Sequence, residues 1–324
     1  MSKELAQFYS LCLQGDVNSA VAFLRSVPSK TEEMEALEAR FASRFFSPPH
    51  VEISASDDFV RNVIYCYHDY FRAVLTNQTT AEEAEMELVN KISRILHAPS
   101  SATIDSLEEA LAAAFKERGY HFLGGVTPPF RGPYIWREER VLEFEVELPF
   151  AKRSVTVHMM SDFLLESWIG FATCENKHVG GWAKDNALFC NAICYKDLQA
   201  AEFQISYLKH EAQHMDDFLH FPHLTPADLE YRAKLVELIY SADHQVLNKF
   251  LLEAKNDPQF PHPFASYRIL NNLSRLVFEK EVEKEASMWA KKEYSTISAA
   301  AFSLYENDTN ALKQNFGHRV KQFL

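Results

Sequence analysis

The sequence predicts an α+β protein with a helical N-terminal region, a small mixed or antiparallel sheet, and a helical C-terminal region. Two observations support this prediction. Apolar residues recur at helical spacing before residue 119 and after residue 226. Seven of the nine glycines lie between residues 119 and 181, together with four prolines, as expected of turns between short strands. We therefore divide the chain into regions 1–118, 119–226 and 227–324.

Composition restricts the class of protein. The chain has 324 residues, of which 47% are hydrophobic and 24% charged, which is ordinary for a soluble globular protein. The net charge of −12 argues against a nucleic-acid or anionic-membrane partner. No stretch approaches 18 apolar residues, and the N-terminus lacks a continuous apolar segment. We expect a cytoplasmic protein with no nucleic-acid and no membrane partner.

The cysteines agree with a reducing compartment. There are five, an odd number, and none forms a C-x-x-C pair. Cys190 and Cys194 are spaced for one face of a strand, which predicts buried thiols rather than metal ligands.

Region 1–118 is predicted to contain several short helices. Their predicted boundaries rest on capping residues and prolines. We expect a helix capped by Thr31 and running to Phe46, a second from Asp57 to Leu75, and further helices begun by the capping boxes Thr80–Glu83 and Ser106–Glu109.

The sheet is predicted from alternation and from β-branched residues. Val141–Leu148 alternates apolar and charged residues, and Ser154–Met159 is rich in β-branched residues. Ser167–Phe171 is a weaker strand candidate. Gly180–Ala183 and Ala187–Ile193 are predicted to form two strands joined by a turn. These strands come just before the chain's main motif.

That motif is His210-Glu211-Ala212-Gln213-His214, an H-E-x-x-H pattern. No proline or glycine interrupts Ala200 to Leu219, so a helix is available. Residues four apart share a helix face, so both histidines can bind one metal ion. Glu211 can then act on a metal-bound water as a general base.

A catalytic zinc usually takes three protein ligands. Glu230, at the start of the next predicted helix, is the first candidate for the third. His220 is the second, because it completes a spacing known from zinc proteases with three histidines. That spacing normally has glycine where this chain has Asp217. Glu237, two turns after Glu230, ranks third and is alternatively a residue that orients a ligand.

The segment Gly180–Glu237 resembles the catalytic core of the zincin metallopeptidases, and of the gluzincins in particular. It has the same order of an edge strand, an H-E-x-x-H helix and a helix that supplies a glutamate. There are two departures. Lys234 occupies a position where gluzincins often have aspartate, and the strand lacks the Met-Glu-Asn signature of zinc aminopeptidases.

The resemblance implies a Zn²⁺ site formed by His210, His214 and Glu230. Glu211 would accept a proton from the metal-bound water and return it to the leaving amine. Residues 181–183 would pair with an extended peptide.

The resemblance also implies a donor that stabilises the tetrahedral intermediate. Tyr240, His244 and Tyr195 are the candidates. Asp216 or Asp217 could orient a ligand histidine.

We therefore expect a zinc metallopeptidase that acts on a peptide or protein substrate. A non-peptidase zinc hydrolase on the same scaffold is one alternative. A regulatory or partner-binding protein on an inactive scaffold is the other. The sequence does not predict side-chain preference, endo- or exopeptidase action, or oligomeric state.

Overall fold

The computed structural model describes residues 2–47, 52–99, 101–184 and 186–316, and it has the predicted α+β composition. The chain forms two compact units. Unit 1 comprises Met1–Glu139 and Met160–Val179, and unit 2 comprises Arg140–Met159 and Gly180–Leu324. The boundaries thus fall at 139, 159 and 179, whereas the sequence suggested 118 and 226. The difference arises because two long strands each contribute residues to both units.

Unit 1 is mainly helical. Its helices pack around one apolar core that includes Phe8, Phe41, Phe71 and Phe115. The elements that begin in it are α1 (Lys3–Leu13), α2 (Val17–Ser26), α3 (Glu32–Phe41), α4 (Asp58–Leu75), α5 (Ala81–Leu96), α6 (Ile104–Glu117), β1 (His121–Leu123), β2 (Val126–Thr127), β3 (Phe130–Arg131) and β4 (Tyr134–Glu147).

Three of the predicted helix starts in unit 1 are confirmed and one is wrong. The side chains of Thr31, Asp57 and Thr80 each accept a backbone hydrogen bond at the N-terminus of a helix. Helix α6 instead begins after Thr103, whose hydroxyl accepts from the backbone N–H of Ser106. The predicted Ser106–Glu109 box is wrong because Ser106 is the third residue of the helix.

The strand predicted at Ser167–Phe171 is also wrong. The chain there forms a short helix, α7 (Ser167–Ala172), that follows β5 (Lys152–Glu166). Trp168 and Phe171 lie three residues apart on the helix, and both are buried in the core of unit 1. Tertiary burial of two aromatic residues outweighs the strand propensity of this segment.

Unit 2 contains the predicted motif and the C-terminal helices. After β6 (Gly181–Lys184) and β7 (Ala187–Asn191), its helices are α8 (Ala201–Phe203), α9 (His210–His220), α10 (Pro226–Tyr240), α11 (Gln245–Glu253), α12 (Pro261–Phe278), α13 (Ala286–Trp289) and α14 (Tyr294–Ala311). None of the helices in the described part of the chain combines the length and the apolar character needed to cross a membrane.

The sheet has the strand order β1-β4-β5-β7-β6, which makes β6 an end strand. The predicted strand, turn and strand at Gly180–Ile193 are confirmed as an antiparallel pair, with Trp182 opposite Phe189 and Ala183 opposite Leu188. Cys190 is buried in β7 as expected. Cys194 is exposed, because the strand ends at Asn191 and a 3₁₀ turn follows.

The helix predicted from Ala200 to Leu219 is present with an unexpected central portion. Between α8 and α9, residues Gln204–Lys209 form a π-helix. This segment places Tyr207 against the sheet: a Cβ on Gly181 would lie 2.5 Å from the Tyr207 ring. Such segments are rare and occur frequently at functional sites, although the described part of this chain has two others, at Ala42–Phe46 and Leu312–Phe316.

Helix α10 is the central element of unit 2 and packs against α9, α12 and α14. Thr225 caps it, and Pro226 is its first residue. Residues 230–238 are all buried. Burial on every side brings the charged groups of Glu230, Arg232, Lys234 and Glu237 into the interior, where each requires a partner.

Candidate metal centre

His210 and His214 lie on one face of α9, as the four-residue spacing predicts. Both are buried, and their rings are 4.7 Å apart and almost perpendicular. The Nε2 atoms of both rings point to the same carboxylate on the neighbouring helix.

That carboxylate belongs to Glu230 in the first turns of α10. Its Oε2 lies 3.4 Å from His210 Nε2, and its Oε1 lies 3.4 Å from His214 Nε2. The ligand atoms of the three residues all lie within 4.8 Å of one another. Zinc–ligand bonds of 2.0–2.2 Å in a tetrahedron place neighbouring ligand atoms about 3.3–3.5 Å apart. The two histidine–carboxylate distances match this value, so the three side chains could hold one metal ion.

The charges at this site also fit a cation. Glu230 and Glu237 are both buried, and among the described residues their ion-pair partners are histidines. Burial by itself lowers the pKa of His210, but the two carboxylates outweigh it and raise that pKa to about 10. Glu230 Oε2 is buried, and the groups nearest to it are ring nitrogens, His262 Nδ1 at 2.8 Å and His210 Nε2 at 3.4 Å, neither of them aligned as a hydrogen-bond donor. A divalent ion would balance both carboxylates and bind this oxygen.

Glu237 was the third candidate for a metal ligand, or alternatively a residue that orients one. It lies on the far side of His210, where its Oε1 is 2.8 Å from His210 Nδ1. This contact leaves Nε2 of His210 facing Glu230 and His214. A carboxylate in this position fixes the tautomer and orientation of a ligand histidine.

The structure does not bring His220 into the group. Its side chain is exposed, and its Nδ1 lies 2.9 Å from the carbonyl oxygen of Asp216. The side chain of Asp216 pairs with Arg153, and that of Asp217 with Arg232. Among the described residues, neither aspartate hydrogen-bonds a ligand histidine, so the hydrogen bond we expected from one of them to a ligand is not formed.

Glu211 is half-buried and faces the sheet side of α9. Burial raises the pKa of the Cys190 thiol to about 12, and the negative charge of Glu211 adds to that increase. Burial likewise raises the pKa of Tyr207 and of Tyr195, again with a contribution from Glu211. No described residue donates a hydrogen bond to the Glu211 carboxylate, so both oxygens remain available as proton acceptors.

The three predicted donors have different surroundings. Lys209 lies 3.8 Å from the centre of the Tyr240 ring, and His244 Nε2 lies 3.2 Å from the carbonyl oxygen of Lys292. Within the described part of the chain, Tyr240 and His244 do not contact the three ligands. The Tyr195 ring packs at a tilt against the Tyr207 ring, with centroids 5.1 Å apart, in the neighbourhood of Glu211.

His262 approaches the centre although the sequence did not indicate it. Its Nδ1 lies 2.8 Å from Glu230 Oε2, and its side chain is 62% exposed. The residue lies in the first turn of α12, between Pro261 and Pro263. A histidine 32 positions after Glu230 reaches it only because α12 packs on α10. In the sequence, Pro261 and Pro263 indicate the start of a helix but not the contact of His262 with Glu230.

The chain matches no protein-family model, no curated protein and no solved structure. One departure from the gluzincin pattern can be located. Lys234 points away from the ligands and pairs with Glu253 at 2.6 Å, with its ammonium over the Phe250 ring. The geometry of the metal centre therefore carries the functional inference by itself.

Proposed function

We propose that this protein is a zinc-dependent hydrolase that cleaves peptide bonds. The convergence of His210, His214 and Glu230 on one point supports the proposal. Glu211 lies next to the first ligand, and none of the residues that the structure describes donates a hydrogen bond to its carboxylate. A structural metal site is normally closed by four protein ligands and has no need of a base.

The chain's own groups have separate roles in this proposal. A bound zinc would supply Lewis-acid chemistry, because it acidifies water and polarises a carbonyl group. Glu237 holds His210 in the orientation that binds metal. Glu211 accepts the proton of the attacking water and returns it to the nitrogen of the leaving amine as the C–N bond breaks.

Strand β6 favours a peptide over other substrates. It is an end strand, so its outer edge presents backbone N–H and C=O groups that no strand of the described sheet occupies. It also packs against α9, which carries the metal ligands. An extended peptide can pair with such an edge and reach the metal centre. A non-peptidase hydrolase would use the same metal centre but would not need this edge.

The decisive experiment replaces Glu211 by Gln. We expect the purified wild type to contain about one zinc per chain and to cleave members of a fluorogenic peptide library. Glu211→Gln should keep its zinc and lose at least about 100-fold in kcat, because removing a general base costs about 10²–10⁴. Zinc is measured by elemental analysis and cleavage by fluorescence and mass spectrometry.

Glu202→Gln is the matched control, since Glu202 is exposed on α8 at the start of the same helical run. It should behave as the wild type does. A Glu211→Gln protein with wild-type activity would refute the proposal. Hydrolysis of ester or other non-peptide substrates alone, still dependent on Glu211, would favour the non-peptidase alternative.

A further inference from the structure

Strand β6 lies beside the helical run that carries the H-E-x-x-H motif. At Gly181 it is in close contact with the π-helix before α9, because a Cβ there would lie 2.5 Å from the Tyr207 ring. Towards Lys184 a cavity of about 410 Å³ opens between the strand and α9. Ala183, Lys184 and Asn186 line it on one side, and Met215, Phe218 and Leu219 line it on the other. This volume is within the range of small-ligand pockets, about 300–1,000 Å³.

The helix side of this cavity is apolar and open to solvent. Phe218 is 47% exposed and Leu219 is 61% exposed, which is a substantial apolar surface at one place. Phe218 is four residues after His214 on the same helix face, and their rings are 6.4 Å apart. The apolar surface is therefore continuous with the proposed metal centre.

We propose that this cavity is a specificity pocket that accepts one large apolar side chain, aliphatic or aromatic, of an extended peptide paired with β6. This inference rests on the proposed function, in which a peptide paired with β6 extends to the metal centre. Side chains of a strand alternate between its two faces. A peptide added to the edge of β6 therefore points every second side chain to the face on which α9 lies.

The structure favours a peptide side chain over a second copy of this chain. Strand β6 has only four residues and ends in the exposed Lys184, and short edges with lysine disfavour pairing between copies. An extended peptide needs only those few backbone groups. Burial of a Leu or Phe side chain contributes about 1.5–3 kcal/mol, which corresponds to tenfold or more in affinity.

The test measures binding separately from cleavage. Zinc-loaded Glu211→Gln protein is titrated into dye-labelled host peptides of alternating Ser and Thr that carry Leu, Phe or Asn at one central position. Fluorescence anisotropy gives the Kd. We expect the Leu and Phe peptides to bind about tenfold more tightly than the Asn peptide.

The double substitution Phe218→Ser with Leu219→Ser, made in the same background, should reduce that ratio to about twofold or less while zinc content stays unchanged. Leu252→Ser is the control, because Leu252 is 90% exposed on α11. It should keep the tenfold ratio.

Equal binding of the Leu, Phe and Asn peptides, or no binding, would refute the proposal that this cavity is a specificity pocket. A preference for the Leu and Phe peptides that survives the double substitution would refute it as well. Self-association that the double substitution abolishes, without any peptide preference, would assign the surface to a second copy. Preferential binding of the Leu and Phe peptides together with no cleavage by the wild type would support the specificity pocket and refute the proposed function.

Discussion

Helices α9 and α10 carry two buried charged clusters that differ in how their carboxylates are compensated. The metal cluster consists of His210, His214, Glu230 and Glu237. The arginine cluster is formed by Asp217, Arg232, Asp308 and their hydrogen-bond partners. In the arginine cluster, Arg232 donates to Asp217 at 2.9 Å and to Asp308 at 2.5 Å. Within the described part of the chain, the two carboxylates of the metal cluster pair with histidines and with no Arg or Lys.

The two clusters differ in the residue type that provides their positive charge. The guanidinium of Arg232 is always charged and also donates to Thr309 and Tyr305, so each of its nitrogens has a partner, although Asp217 Oδ2 has none among the described residues. No described Arg or Lys pairs with the carboxylates of the metal cluster, whose nearest groups able to carry positive charge are imidazoles. A cluster of that kind suits an exchangeable cation. If this comparison is right, substitutions in the metal cluster should affect zinc, and those in the arginine cluster should affect stability.

Removal of the third ligand should have the largest effect. Glu230→Ala leaves two histidines, and we expect it to lose most of its zinc and all measurable cleavage. His220→Ala should retain zinc, since His220 is exposed and distant from the group. Elemental analysis of both purified variants is the measurement. Full zinc content in Glu230→Ala, together with loss of zinc in His220→Ala, would make His220 the third ligand instead of Glu230.

Substitutions in the arginine cluster should lower the stability of the fold instead. Arg232→Met leaves Asp217 and Asp308 buried without their cation, and breaking a buried ion pair in this way costs about 3–5 kcal/mol. The free energy of unfolding from urea denaturation should fall by that amount. Arg275→Met, at an exposed position of α12, should change it by less than about 0.5 kcal/mol. A cost below about 1 kcal/mol for Arg232→Met would show that the cluster does not act as a structural unit.

Glu237→Gln should have an intermediate effect, confined to the metal. The amide keeps the size of the side chain but loses the charge beside His210 Nδ1. Loss of such a partner typically weakens metal affinity about 10–100-fold. Competition with a zinc-chelating dye measures the affinity. An unchanged affinity would mean that Glu237 does not orient His210.

The smallest predicted effect is a pH dependence of stability. Burial raises the pKa of Asp308 to about 6, against the opposing effect of Arg232, whereas the unfolded value is about 3.9. Below pH 4 the protonated carboxyl contributes its full stabilisation, which is lost as the pH rises through 6.

The wild type should therefore gain about 1 kcal/mol in the free energy of unfolding relative to Asp308→Asn when the pH falls from 7 to 5. Denaturation of both proteins at the two pH values measures this difference. A difference that is constant with pH would contradict the assignment.

The parts of the metal centre that follow from helix periodicity could be predicted. His210 and His214 share a face because they are four apart. Glu230 and Glu237 share a face of α10 because they are seven apart. The contact of His262 with Glu230 depends on how α12 packs on α10, which no local pattern encodes. Arg232 looks like a surface residue in the sequence and is buried only because α10 is covered on all sides.

The fold shows the same limit. The α+β composition follows from glycine placement and helical spacing, and most caps follow from single side chains. The strand predicted at Ser167–Phe171 is a helix, since burial of Trp168 and Phe171 against other elements decided its conformation. The two long strands β4 and β5 each contribute residues to both units. A change in glycine and proline content along the sequence cannot locate a boundary that lies within a strand.

The π-helix at Gln204–Lys209 amounts to one residue more than an α-helix needs to cover the same rise. Loss of any one residue from this segment would allow regular winding to resume. Because the wider turn absorbs the extra residue, His210 and the residues after it would keep nearly their present direction. The extra residue instead sets where the Tyr207 ring lies against Gly181 of β6. A single-codon deletion here should displace the Tyr207 ring and leave His210 and His214 on one face of the helix.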